Sequence, residues 1–282
     1  MSQLTQFNSV EYSILLDAFE NTKLDKWIAT TIESFIYEWK EERYNNGNLK
    51  YRYLTRFGEK DGEYKTFHTD GEIWVDSNYK NGNKEGEFKM FFKNGQLNMN
   101  CYYKDGKEDG EYKEWYPSGE LKYQANYKDG KIDGEERAWW RNGNLQYSLN
   151  RKDGKFHGEF KEWYENGKLY IKAYHIDGNK EGEYKEWYEN GKLKNKKHYI
   201  NGNREGEYIS WYPITSRYPL GGIEIKSNHK NGKKEGEYLH YYPPNEGEEV
   251  GKLKHLIHYQ NDEMIEYYFW LPDGTLYQHF VK

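Results

Sequence analysis

Aromatic residues recur along this chain at a fixed step, and polar residues fill the positions between them. The segment Gly158-Glu-Phe-Lys-Glu-Trp-Tyr-Glu-Asn-Gly167-Lys-Leu169 returns 24 residues later as Gly182-Glu-Tyr-Lys-Glu-Trp-Tyr-Glu-Asn-Gly191-Lys-Leu193. The same step links Gly62, Gly86, Gly110, Gly134, Gly158, Gly182 and Gly206, and after a six-residue insertion it resumes at Gly236. A period of this length marks a repeat architecture, in which each unit buries its apolar side against its neighbours. Alternation inside the unit has the period of a strand. A first strand is predicted over segments such as Glu183 to Tyr188. A second opens at the column Leu49, Ile73, Leu97, Leu121, Leu145, Leu169, Leu193, Ile223, Leu253 and Leu276. Tyr184 and Tyr188 then share one face and Trp187 takes the other, unless a bulge at the first glycine changes the parity.

Two further glycine columns punctuate the strands. One runs from Gly47 through Gly191 to Gly221, Gly251 and Gly274, and the other from Gly58 to Gly232. Both sit mostly in Asn-Gly or Asp-Gly pairs, the strongest short-range hairpin signal. Each unit is therefore a hairpin, marginal alone and stabilised by stacking. With strands about 4.8 Å apart, roughly nine units give an elongated, twisted antiparallel ribbon of about 85 Å. The array is expected over residues 38–276, with a half unit at its end and a tail over 277–282. Glu38 stands where the first unit should have glycine. Residues 1–37 carry no repeat. Val10, Ile14 and Leu15, then Leu24, Trp27, Ile28 and Ile32, follow helical spacing. Two short helices are predicted there, capping the first strand's edge or docking another protein.

Composition sharpens this picture. Aromatics are 18% of the residues, with 30 Tyr, 12 Phe and 10 Trp, while all hydrophobic residues reach only 35%. That aromatic content argues against disorder, and the scarcity of aliphatics argues for a thin structure built on ring ladders. The net charge is -5, with both signs interleaved. No basic stripe favours nucleic acid, and membrane binding is possible but not favoured. The single cysteine, Cys101, rules out an intrachain disulfide and leans toward a reducing compartment. With no apolar run long enough to span a bilayer and no signal-peptide pattern, a cytoplasmic location is expected.

The pattern Gly-Glu-Tyr-Lys-x-Trp-Tyr-x-Asn-Gly-x-Leu, followed by Tyr-x-(Asp/Asn)-Gly, resembles the MORN repeat over about residues 38–276. It is most like the variant with a central Asn-Gly-x-Leu seen in bacterial antitoxin-like proteins and large DNA viruses. The resemblance implies a protein-binding scaffold that sometimes associates with membranes or phospholipids. Glu136, where an aromatic is expected, and Arg151 depart from the pattern, so one face near them is expected to be less regular.

Reactive chemistry is sparse. Asp177-Gly-Asn179-Lys-Glu181-Gly182 looks like half of a calcium loop, but the position of the twelfth, bidentate ligand is Tyr188. His175, His198, His229 and His258 alternate in register across successive units, too far apart to share one metal, so surface histidines are the better account. No phosphate loop and no activated nucleophile is visible. No catalytic site, metal or cofactor is therefore expected.

Two candidate binding regions remain. The first is the aromatic ribbon of Trp115, Trp139, Trp163, Trp187, Trp211, Tyr241 and Trp270. Its rings either hold the hairpins together or receive a peptide, helix or glycan. The second is a pair of six-residue insertions in the middle turns of consecutive units, over 213–221 and 243–251. Pro213, Pro243 and Pro244 would stiffen them, Arg217, Tyr218 and Leu220 offer anchors, and Glu246, Glu248 and Glu249 add acid. The expected function is a non-enzymatic scaffold for a protein partner. A carbohydrate- or cell-surface-binding ribbon and a peripheral phospholipid-binding protein are the alternatives. The oligomeric state is left open.

Overall fold

A computed structural model describes residues 36–214, 221–244 and 250–282, which form 23 β-strands. The chain divides into two compact units, Met1–Glu120 with Tyr127–Gly130, and Leu121–Asn126 with Lys131–Lys282. In the first unit the strands are β1 (Tyr37–Arg43), β2 (Leu49–Arg56), β3 (Glu59–Phe67), β4 (Ile73–Lys80), β5 (Asn83–Phe91), β6 (Leu97–Lys104) and β7 (Lys107–Trp115). Each pairs antiparallel with the next. Strand β8 (Leu121–Lys128) is divided between the units. The second unit continues with β9 (Lys131–Trp139), β10 (Leu145–Lys152), β11 (Lys155–Phe156), β12 (Gly158–Trp163), β13 (Leu169–Ile176), β14 (Asn179–Lys180), β15 (Gly182–Trp187) and β16 (Leu193–Ile200). It ends with β17 (Asn203–Arg204), β18 (Gly206–Trp211), β19 (Ile223–Lys230), β20 (Lys233–Tyr241), β21 (Leu253–Gln260), β22 (Glu263–Trp270) and β23 (Leu276–Val281). It too is an antiparallel meander.

The two turn types follow from their residues. At the unit's end, Asp105 (φ 49°) and Gly106 (φ 80°) both lie in the left-handed region, as a two-residue type I′ turn requires. In the middle turn only the glycine does. Gly191 N donates to Tyr188 O at 2.8 Å, Tyr188 N donates to Lys192 O at 2.8 Å, and Gly191 closes the turn at φ 88°. The result is a three-residue loop with a bulge, so that Trp187 pairs with Leu193 while Glu186 pairs with Asn195. A second irregularity falls at the first glycine. Ser77 pairs with Phe88 and Tyr79 with Lys84, which loops out the chain around Gly86. Lys84 and Phe88 are an even number of residues apart, so the faces keep their parity.

One face of each unit is a thin core. In the first unit Tyr64, Ser77, Phe88, Cys101 and Tyr112 are successive cross-strand partners. Rings and small residues thus alternate, and Cys101 is 1% exposed. Burial pushes its thiol up to about 11. In most hairpins the first-strand ring also meets a second one, as Tyr64 meets Tyr79 at 5.2 Å and Tyr184 meets Tyr199 at 6.0 Å. A cation often covers the pair. Lys60 lies 4.3 Å from the Tyr64 ring, Lys84 is 4.4 Å from Phe88, and Lys180 is 4.9 Å from Tyr184.

Glu136 and Arg151 replace a ring pair with an ion pair. Glu136 is 5% exposed, Arg151 Nε donates to it at 2.5 Å, and Tyr147 Oη donates at 3.0 Å. Its cross-strand partner is Leu149 rather than a small residue. The volume lost with the ring is thus refilled from across the pair.

Side chains tie each hairpin to the next. Tyr164, Tyr188 and Tyr242 hydroxyls donate to the carbonyls of Trp187, Trp211 and Trp270 at 2.7–3.0 Å. Trp140 Nε1 does the same to Trp163 O at 3.2 Å, so an indole N–H serves there as a hydroxyl does. Asn142 and Asn166 amides reach Glu165 O and Glu189 O at 2.7 and 3.1 Å. At the other turn, Asp133 and Glu181 carboxylates accept Asp153 N and Asn201 N at 3.1 and 2.8 Å. Glu181, part of the calcium-like segment, is thereby engaged in turn chemistry.

The helical reading of residues 1–37 lies outside the described residues apart from Ile36 and Tyr37, and Tyr37 opens β1. Residues 277–281, expected in a tail, belong to β23. His175 and His229 are buried, each 6% exposed, not surface residues. They occupy the second ring position of their hairpins, against Phe160 at 6.0 Å and Tyr208 at 6.2 Å. Among the described residues no helix is long and apolar enough to cross a membrane.

Candidate functional site

The opposite face of the second unit carries the tryptophan column. Trp139, Trp163, Trp187, Trp211, Tyr241 and Trp270 end their strands at the middle-turn bulge, facing Leu145, Leu169, Leu193, Ile223, Leu253 and Leu276. Trp115 ends β7 in the first unit. All seven are half-buried, so each ring shares its area between the hairpin and solvent. The carbonyls of Trp163, Trp187, Trp211, Tyr241 and Trp270 are held by the preceding hairpin's aromatic. These rings therefore sit on a fixed backbone.

Beside the column runs one continuous cross-strand row: Arg137, Ser148, Lys161, Lys172, Lys185, Lys196, Ile209, Lys226, Leu239, Leu256, Tyr268 and His279. Like charges directly opposite one another are destabilising. Here they are bridged. Glu159 takes Lys161 at 2.5 Å and Lys172 at 3.0 Å, and Glu183 takes Lys185 at 2.6 Å and Lys196 at 3.4 Å. These contacts hold both carboxyls below the usual carboxylate range. Glu135 pairs with Arg137 in the same way. The first unit repeats the motif with Glu63–Lys65, Glu87–Lys89 and Glu111–Lys113 at 2.7–2.9 Å.

The ladder then stops. After Glu207 the lysine position is Ile209, and after Glu237 it is Leu239. Among the described residues Glu207 has no ion pair, and Glu237 has only the His258 ring, at 3.8 Å. These two strands, β18 and β20, are the ones that lead into the inserted turns.

The inserted turns keep the closure of the short ones. Tyr212 N donates to Gly222 O at 2.9 Å and Tyr242 N to Lys252 O at 2.8 Å. An isolated parallel bridge joins Ile223 to Val250, so the far ends of the two insertions meet. Gly221 and Pro244 are buried there, Pro213 and Pro243 are half-buried, and Ile223 is 5% exposed. At Gly251 a Cβ would stand 1.9 Å from Tyr242 O, so only glycine fits that closure. Arg217, Tyr218, Leu220, Glu246, Glu248 and Glu249 lie outside the described residues.

On the other side of this unit the aromatic core ends in a histidine stack. His240 lies 5.2 Å from His255, and His255 lies 5.0 Å from Phe269. Burial, with Lys254 and His255 nearby, lowers the His240 pKa to about 4. Among the described residues no cluster of three or more His, Cys, Asp or Glu is placed to hold a metal ion.

Sequence reasoning found the columns and the insertions but missed the ladder. The Glu-x-Lys signal was present at every step, and its loss at Ile209 and Leu239 could have been read there.

A family model described as a MORN repeat variant matches residues 60–81, 84–105, 108–129, 132–153, 156–177 and 180–201, a run over about half the chain. No curated protein matches the chain in sequence. Solved structures give only remote likenesses. A mutant of S. aureus TarM, solved with fondaparinux, alpha-GlcNAc-glycerol and UDP, is 12% identical over 62% of this chain, with a TM-score of 0.18. The chain spans 27% of that protein's length. A porin-like protein from Bacteroides uniformis is 12% identical over 87% of this chain and 96% of its own, with a TM-score of 0.18. The TcdB2-TccC3-Cdc42 structure is 9% identical over 87% of this chain and 17% of its own, with a TM-score of 0.17. None of these likenesses is close enough to carry an argument.

Proposed function

The chain belongs to the MORN repeat family, and we propose that it is a non-enzymatic scaffold that holds a protein partner at its two neighbouring inserted turns and the tryptophan face beside them. The observation that carries this reading is the Ile223–Val250 bridge. It brings two separately inserted segments to one place on a backbone whose register they leave intact. Insertions in repeat arrays commonly form the binding face, and bases that are already fixed lower the cost of ordering a loop on a partner. The sequence of the insertions supplies Arg217, Tyr218 and Leu220 as anchors and Glu246, Glu248 and Glu249 as polar contacts. The test is a tagged pull-down with the intact chain beside one in which both insertions are cut to Asn-Gly turns. A partner held only by the intact chain supports the reading. Equal capture by both chains moves the site off the insertions, and no capture by either removes it.

A carbohydrate-binding ribbon is the second reading. It draws on an open groove of about 550 Å³ between Trp139 and Trp163, lined also by Glu135, Arg137, Ser148, Asn150 and Lys161. Two aromatic platforms with polar groups between them suit sugar rings. A glycan array decides it: retention that is lost in Trp139→Ala supports the groove, and a blank array ends the idea.

A further inference from the structure

We infer that the segment of the tryptophan face at Ile209, Leu239 and Leu256 is a docking patch for a polypeptide segment with an apolar edge flanked by lysine or arginine. This rests on the scaffold reading and gives the partner a chemistry. Two independent departures from the repeat fall on the same strands. Only β18 and β20 lead into long turns, and both replace the lysine of the Glu-x-Lys motif with an aliphatic residue, Ile209 and Leu239, whereas β22, with its short turn, has Tyr268 there. Leu256 faces Leu239 directly across the sheet, and Lys226 stands between Leu239 and Ile209. Trp211 and Tyr241 stand two residues further along β18 and β20 and extend the patch toward the inserted turns.

The charge balance names the partner's sign. Upstream, every glutamate of the motif is satisfied by its own lysine or arginine. Glu207 and Glu237 keep the carboxylate but lose that cation, and they flank the apolar residues. From Ile209 to Leu256 the row holds one cation, Lys226, between Ile209 and Leu239. An acidic or neutral segment would leave both carboxylates unanswered, whereas a cationic one restores the pairing found in the other units. Specificity of this kind needs both the apolar contact and the paired charge.

The experiment restores the ladder. Ile209→Lys with Leu239→Lys re-creates the Glu-x-Lys pair that β3, β5, β7, β12 and β15 carry, so an unchanged melting temperature is expected. The probes are fluorescent synthetic peptides of alternating Leu and Lys, and of alternating Leu and Glu, titrated by anisotropy. The Leu/Lys peptide should bind the wild-type chain at least tenfold more tightly than the double variant, and the Leu/Glu peptide should not bind either. A reciprocal graft, Lys161→Ile with Lys185→Leu, should add a second site for the Leu/Lys peptide. It also keeps the proposal falsifiable if the double variant fails to fold. Equal binding by wild type and double variant, no second site in the graft, or binding of phosphatidylcholine–phosphatidylserine vesicles in place of the peptide overturns the patch. If a pull-down partner depends on the insertions yet is still held by the double variant, the patch is wrong while the scaffold reading stands.

Discussion

Residues 131–204 and 206–270 share one repeat, yet they use it differently. The first stretch has short middle turns, and its tryptophan face is closed by Arg137, Lys161, Lys172, Lys185 and Lys196 with bridging glutamates. The second has two long turns, an interrupted ladder and a histidine stack on its inner face. The backbone ties are the same in both, since Tyr188 and Tyr242 make equivalent hydrogen bonds. The frame is therefore specified by turns and cross-hairpin ties, and the outer face is free to vary without disturbing it.

The comparison can be broken most severely in the regular stretch. Arg151→Ala leaves Glu136 buried without its cation, and removing one partner of a buried pair costs about 3–5 kcal/mol. Urea denaturation should show this loss. The triple change Glu136→Tyr, Leu149→Ala and Arg151→Tyr should recover most of it by restoring the ring-and-small-residue alternation. A triple variant no more stable than Arg151→Ala would mean that the local packing does not follow the alternation.

Acid should separate the two stretches next. His229, His240 and His255 lie in the second, and all have lowered pKa values because burial disfavours the charged ring. His175 is the one such residue in the first. Each is neutral when folded and takes a proton near pH 6.5 when unfolded. Stability is thus full above about 6.5 and is lost as pH falls toward about 4, the His240 value. Glu162 and Glu224, one in each stretch, are pushed up by burial and affect both alike. Hydrogen exchange at pH 7 and pH 5 should show residues 206–270 opening first. Equal opening would mean that the histidines do not set the difference.

Smaller effects test what the stretches share. Tyr188→Phe and Tyr242→Phe each remove one hydroxyl-to-carbonyl bond and should cost about 1 kcal/mol apiece. A much smaller cost at Tyr242 would mean that the long turn has loosened the frame. Glu159→Gln leaves Lys161 and Lys172 facing each other, but the groups are exposed, so the expected loss is about 0.5 kcal/mol and should shrink with added salt. Glu207→Gln, with no cation to lose, should be nearly neutral. Thermal melts in low and high salt distinguish the two.

Much of this was legible in the sequence. Every second strand begins at the predicted Leu or Ile, from Leu49 to Leu276, because alternation and the preceding Asn-Gly turn fix its start. The separation of Tyr184 from Trp187 also holds, since both lie in the continuous strand β15 three residues apart and alternate faces. The first strand read as Glu183 to Tyr188 is Gly182–Trp187 in β15, and β12 and β18 open at the same glycine. Strands β3, β5, β7, β9 and β20 run longer, beginning right after the type I′ turn, as β5 does at Asn83, because the glycine in their middle disguised them as loop. Glu136 and Arg151 looked like two defects because a cross-strand pair is distant in sequence. His175 and His229 were assigned to the surface from their polarity, yet a ring of that size fits the second ring position. The binding region was visible only as inserted length. The change in the neighbouring strand faces was equally present in the letters, but it required knowing which residues share a row.

Apart from Asp262, whose carboxylate reaches back to Lys234 N, the tyrosine, asparagine and carboxylate ties between hairpins run from a side chain in one hairpin to the backbone of the following one. The array therefore has a direction. On the ribosome, each completed hairpin already displays the hydroxyls, amides and carboxylates that its successor's peptide groups will need. Folding can then proceed in the order of synthesis, one hairpin at a time, with every new arrival meeting a finished template. An array assembled from its carboxyl end would meet these ties in reverse, with the backbone waiting for side chains still to come.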